Sequence, residues 1–87
     1  MNAVMIPTPL RSYTGGRAEV TAPGASLADV LEELDRQFPG FRFRIVDEQD
    51  RVRPHIKLYA RGAFVRSLDT PVGPDDEVHI ICALSGG

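Results

Sequence analysis

Apolar residues change their spacing several times along the chain, and each change predicts an element. Val4 and Ile6 alternate within residues 3–10, AVMIPTPL, while Pro7 and Pro9 confine the later part of this first strand to a strand end or a sheet edge. After the turn signal Thr14-Gly15-Gly16, the run Arg17-Ala18-Glu19-Val20-Thr21 alternates charged with smaller or apolar residues, as a half-exposed second strand would. The two are expected to form a hairpin. Pro23-Gly24 ends the second strand, and the period then becomes helical: Leu27, Val30, Leu31, Leu34 and Phe38 recur three and four apart, with Asp29, Glu32, Glu33, Asp35 and Arg36 on the other side. Ser26 offers the N-cap, Asp29 suits the positive end of the helix, and Pro39-Gly40 stops it.

Phe38, Phe41 and Ile45 predict one further helical stripe, followed by a loop at Asp47-Glu48-Gln49-Asp50. His55-Ile56-Lys57-Leu58-Tyr59 returns to a period of two with Ile56 and Leu58 inward, and Arg61-Gly62 turns into a short strand near Phe64-Val65. Pro71 and Gly73-Pro74-Asp75-Asp76 predict a tight loop before a last strand over residues 77–83. The order is strand, strand, helix, strand, short strand, strand. An α+β fold follows, with a sheet of four or five strands packed on one main helix.

In the last strand Val78, Ile80 and Cys82 form the inward set, leaving Glu77, His79, Ile81 and Ala83 on the opposite face. Ile81 is apolar on a face expected to be polar. It is either a singly exposed hydrophobe or part of a docking patch, for which His79, Ile81 and Ala83 are the candidates. Beyond it, Leu84-Ser85-Gly86-Gly87 has neither charge nor a periodic pattern, so residues 1–83 are expected to form the domain and residues 84–87 a flexible tail. Lacking Cβ atoms, Gly86 and Gly87 can enter a narrow channel and present an unhindered carboxylate.

Composition narrows the function classes. A chain of 87 residues with 43% hydrophobic content has room for one core, so a second domain is not expected. Ten basic and twelve acidic side chains give a net charge of −2, which supplies no overall attraction to nucleic acid. No apolar run suits export or a membrane anchor, and Cys82 is the only cysteine, so a cytoplasmic protein without disulfides or a multi-cysteine metal site is expected. His55, His79 and Cys82 do not make a zinc site, because His79 and Cys82 fall on opposite faces of one strand. Cys82, facing inward, reads as an inert thiol rather than a nucleophile. Phe41-Arg42-Phe43-Arg44 with Arg51, Arg53, Arg61 and Arg66 could suggest a groove for single-stranded RNA, but Phe41 fits the core stripe, and the arginines read as solvated residues able to guide an acidic partner.

Three segments, TPLRSYTGG (8–16), DRVRPHIKLYARG (50–62) and LDTPVGPDDEVHIICALSGG (68–87), with the helix between the first two, resemble the ThiS/MoaD sulfur carriers, ubiquitin-like β-grasp proteins that end in Gly-Gly. The resemblance implies a carrier rather than an enzyme. A ubiquitin-activating-type adenylyltransferase would use ATP to adenylate the Gly87 carboxylate, and a persulfide or sulfide source would displace AMP to leave a thiocarboxylate. A sulfur-accepting biosynthetic enzyme would then receive the tail, Leu84 to Gly87, in its active site. The acceptor could be a molybdopterin or thiazole precursor, an activated serine or homoserine derivative, or a siderophore-type metabolite. Ser85 and Ile81 depart from the family pattern: many relatives have a small apolar residue at the first position, and the molybdopterin-synthase subunit often has an aromatic one at the second. The chain already stops at Gly87, so no trimming is expected before activation. The same activated carboxylate would serve a protein modifier conjugated to lysines, although Lys57 is the only lysine available here for chain building. A plain protein-interaction domain is the third reading.

Overall fold

A computed structural model of the chain describes residues 1–83. Its elements are β1 (Asn2–Met5), a 3-10 helix (Thr8–Thr14), β2 (Glu19–Ala22), α1 (Leu27–Gln37), α2 (Phe41–Ile45), β3 (Ile56–Ala60), β4 (Ala63–Val65) and β5 (Val78–Cys82). The strands form one mixed five-stranded sheet in the order β2-β1-β5-β3-β4. β1 pairs antiparallel with β2 and parallel with β5, and β5 pairs antiparallel with β3. The last strand in the sequence is therefore central in the sheet.

The first strand is shorter than its hydrophobic pattern predicts. It ends at Met5, and residues 8–14 coil into a 3-10 helix with proline in its first turn. Proline lacks an amide hydrogen to continue a ladder, whereas its fixed φ suits the start of a helix. The hairpin between β1 and β2 consequently carries a long connection. Thr14 ties it together: its buried hydroxyl donates toward the Arg17 carbonyl at 2.8 Å, and Gly15 and Gly16 take positive φ to reverse the chain.

The main helix starts as its sequence predicts, with Ser26 Oγ accepting the Asp29 amide at 3.2 Å. Leu27, Val30, Leu31 and Leu34 are buried along one face. At the other end Gly40 adopts a left-handed conformation, and Asp35 Oδ1 accepts the amides of Gly40 at 3.1 Å and Arg42 at 3.0 Å, turning the chain into α2. Phe41 and Ile45 then enter the core with Val4, Ile6, Val20, Leu58, Val78 and Ile80. The core lies between one face of the sheet and the helices.

One buried polar residue escaped the sequence pattern. Asn2 is fully buried, and its Nδ2 donates to the carbonyls of Gly73 at 2.5 Å and Asp76 at 2.9 Å. Asp76 in turn accepts the Gly73 amide at 2.6 Å. Asn2 thus fixes the loop that aims the chain into β5, joining the first residues of the fold to its last strand.

Candidate functional site

β5 shows the alternation its sequence predicts over a shorter span, Val78–Cys82. Val78 and Ile80 are buried, His79 is half-buried and Ile81 is 45% exposed. Register places His79 within a row that crosses the sheet: Glu19 pairs with Met5, Met5 with His79, His79 with Tyr59, and Tyr59 with Phe64. Lys57 lies opposite Ile81 in the next row. The face turned away from the helices therefore carries Met5, Tyr59, Phe64 and Ile81 around His79. The Tyr59 and Phe64 rings meet at 5.6 Å with a tilt of 53°.

These side chains form an apolar patch with a polar rim, a composition suited to protein docking. His79 Nε2 lies 3.1 Å from Glu77 Oε1, so its ring is held toward the carboxylate at the patch border. His79 and Ile81 thus share the face expected of them. Ala83 is exposed but lies past the strand, where its amide donates to the His55 carbonyl at 2.7 Å. Leu84, Ser85, Gly86 and Gly87 lie outside the described residues. Met5, Tyr59 and Phe64 were not among the expected docking residues. Tyr59 was available as a signal, since it falls out of phase with the inward pair Ile56 and Leu58; Met5 and Phe64 needed the cross-strand register.

The β1–β5 ladder stops at Met5 and His79, because β1 turns away at Pro7. From Ile80 onward β5 is held on one side only, and a cleft of about 380 Å³ opens beside it, lined by Pro7, Pro9, Arg11, Ile81 and Cys82. Arg11 Nε donates to the Ile6 carbonyl at 3.0 Å and so keeps the guanidinium at this wall. Cys82 is half-buried, and burial pushes its thiol pKa above the ordinary value. That leaves less reactive thiolate at neutral pH, as an inward cysteine should show. The end of β5, rather than any cluster of acids, bases or nucleophiles, is the distinctive feature of this surface.

The chain is 34% identical over 89 residues to the sulfur carrier protein CysO of Mycobacterium tuberculosis, with 97% of this chain and 96% of that protein covered. A solved structure of the Amycolatopsis orientalis BexX/CysO complex contains a chain that superposes with a TM-score of 0.93 at 31% identity, covering 100% of both chains. The solution structure of small archaeal modifier protein 1 from Methanosarcina acetivorans matches with a TM-score of 0.81 at 26% identity, over 98% of this chain and 94% of that one. The mixed sheet with β5 at its centre and α1 across one face is the β-grasp arrangement of these relatives. Since the ThiS family pattern matches residues 4–87, reaching from the first strand through the two terminal glycines, the chain belongs to the ThiS family.

Proposed function

We propose that this protein is a sulfur carrier that works through the Gly87 carboxylate, with His79, Ile81 and Ala83 helping to dock its partners. The observation that carries the reading is a family match that includes Gly86 and Gly87, in a chain similar over nearly its whole length to a named sulfur carrier. A free carboxylate is resonance-stabilised and resists attack by sulfur. Transfer of the adenylyl group from ATP removes that barrier: the Gly87 carboxylate oxygen attacks the α-phosphorus, pyrophosphate leaves, and a mixed anhydride with AMP results. Sulfide attacks its carbonyl carbon and expels AMP to give the thiocarboxylate directly. A persulfide gives an acyl disulfide, from which a thiol releases the thiocarboxylate while forming a new disulfide.

In this scheme the domain is a co-substrate and an ubiquitin-activating-type adenylyltransferase supplies the catalysis. The protein's part is to present Leu84 to Gly87 from the end of β5 while the face around Ile81 is held by the partner. A sulfur-accepting biosynthetic enzyme would engage the charged tail afterwards. Among the described residues no helix is long and apolar enough to cross a membrane. We place the protein in the cytoplasm, where a single half-buried cysteine suits reducing conditions.

The test is intact-mass measurement after incubation with the adenylyltransferase, ATP and sulfide. The expected product is heavier by one oxygen-to-sulfur exchange, localised to Gly87 by fragmentation. An unmodified chain in the presence of an enzyme shown to be active would overturn the proposal. Similarity to small archaeal modifier protein 1 favours a second reading, conjugation of Gly87 to lysines of other proteins. It predicts higher-mass adducts in cell extract that disappear when Gly87 is deleted, and free protein alone would exclude it.

A further inference from the structure

On the far side of the sheet from β2, a groove of about 710 Å³ runs between α1 and the β3–β4 edge. Its floor is apolar, from Val52, Ile56, Val65 and Leu68. Its walls are basic: Arg42, Arg51, Arg53, Lys57 and Arg66 line it, five of the chain's ten basic side chains. Only Glu32, Asp50 and Asp69, three of the twelve acidic ones, join them, so the groove carries a formal excess of two positive charges in a chain of net charge −2.

Among the described residues, part of that positive charge has no ion-pair partner within 4.0 Å. Arg42 pairs with Asp50 at 2.9 Å and Arg51 lies 3.9 Å from Asp47. Arg53, Lys57 and Arg66 take part in none of the ion pairs among the described residues. Instead they lie over aromatic rings, Arg53 at 4.6 Å from Phe43 and Lys57 and Arg66 at 5.6 and 5.5 Å from Phe64. Phe43 and Phe64 are 50% and 44% exposed, so these three cations stand at the surface on aromatic supports.

The backbone beside them is short of a strand. The β3–β4 ladder covers Leu58 to Ala60 only, because the chain leaves the sheet after Val65 and crosses to α1, where the amide of Ala28 donates to the Leu68 carbonyl at 2.9 Å and that of Leu27 to the Thr70 carbonyl at 3.0 Å. On this side the Ile56–Lys57 stretch borders the groove without a strand opposite it. An extended peptide suits such a gap, since its alternate side chains can face the apolar floor and the basic wall. We propose that the groove docks an extended acidic segment of a partner protein, in which carboxylates alternate with small apolar residues. A nucleic acid fits less well: Lys57 of β3 and Arg66 just past β4 already lie over the Phe64 ring a base would need, and Glu32 and Asp69 oppose a continuous phosphate chain. The groove needs no activation at Gly87, so this inference stands or falls separately from sulfur carriage.

The experiment is a titration of the isotopically labelled full chain with a short synthetic peptide alternating glutamate and valine, followed by amide chemical shifts. Shifts are expected at Ile56, Lys57 and residues 64–67, with binding that weakens between about 50 and 200 mM salt. K57E together with R66E should weaken binding about tenfold or more, and K57Q with R66Q should do so less, both with wild-type melting temperatures. Should the charge-reversed variant fail to fold, the salt dependence and the control ligands decide. No shifts at millimolar peptide, equal binding of a lysine–valine peptide, shifts confined to Met5, His79 and Ile81 on β1 and β5, or tighter binding of oligothymidylate at the same amides would each overturn the proposal.

Discussion

Ile80 and Ile81 are adjacent, chemically identical, and point to opposite sides of β5. Truncating each to alanine should therefore produce opposite phenotypes. Ile80 is 1% exposed and belongs to the core. Removing its branched side chain forfeits burial and leaves a cavity, a loss of about 2–5 kcal/mol. At roughly 0.05–0.15 kcal/mol per residue a chain of this size has about 4–13 kcal/mol in total. Ile80→Ala should accordingly lower the melting temperature by at least about 8 °C. Ile81 is 45% exposed, so Ile81→Ala removes little from the core and should cost below about 1 kcal/mol, mostly strand preference. What it removes is surface for a partner. If docking buries the exposed 45% of a side chain worth about 1.5–3 kcal/mol when fully buried, about 0.7–1.4 kcal/mol of binding is lost, a three- to tenfold change. The assays are thermal and urea melts read by circular dichroism, and the KM for the carrier in ATP–pyrophosphate exchange by the adenylyltransferase. Equal destabilisation by the two substitutions would refute the assignment of faces, and an unchanged KM for Ile81→Ala would remove Ile81 from the docking surface.

Two further outcomes follow from the geometry. A Cβ on Gly24 would fall 2.7 Å from both the amide nitrogen and Cγ2 of Val30; Gly24→Ala should therefore cost about 1–3 kcal/mol through displacement of the first turn of α1, visible as a lower urea midpoint, and a wild-type midpoint would contradict that close approach. The Cys82 thiol, with its pKa raised by burial, stays protonated to higher pH than a free cysteine. Alkylation by iodoacetamide should be slower than that of a free thiol throughout about pH 7–8.5, rise as pH increases, and accelerate in urea; a native rate equal to that of the free thiol would show that the fold does not shield it.

Much of this architecture is legible locally. The three-and-four spacing of Leu27, Val30, Leu31 and Leu34, with Ser26 ahead of it, specifies α1 because helix geometry gathers those residues on one side. Alternation does the same for Ile56 to Ala60. Residues 8–10, expected at the end of the first strand, instead open a 3-10 helix that runs to Thr14, since two prolines are compatible with a strand end as well as with the first turn of such a helix, and only packing of Leu10 and Thr14 selects between them. Asn2 gave no local signal at all: its partners, Gly73 and Asp76, are more than seventy positions away.

The sequence by itself determined the main helix and the order of the strands along the chain, though not the 3-10 helix after β1, together with the alternation of β3 and β5 and the membership of the two terminal glycines in a family pattern, because these depend on short-range periodicity and on residue identity. It could not determine which outward residues become neighbours. The tertiary structure decided that Met5, His79, Tyr59 and Phe64 form one row and that half of the basic side chains line one groove. Strand order and register bring together residues separated by tens of positions, and these are settled by burial of the whole core rather than by any segment alone.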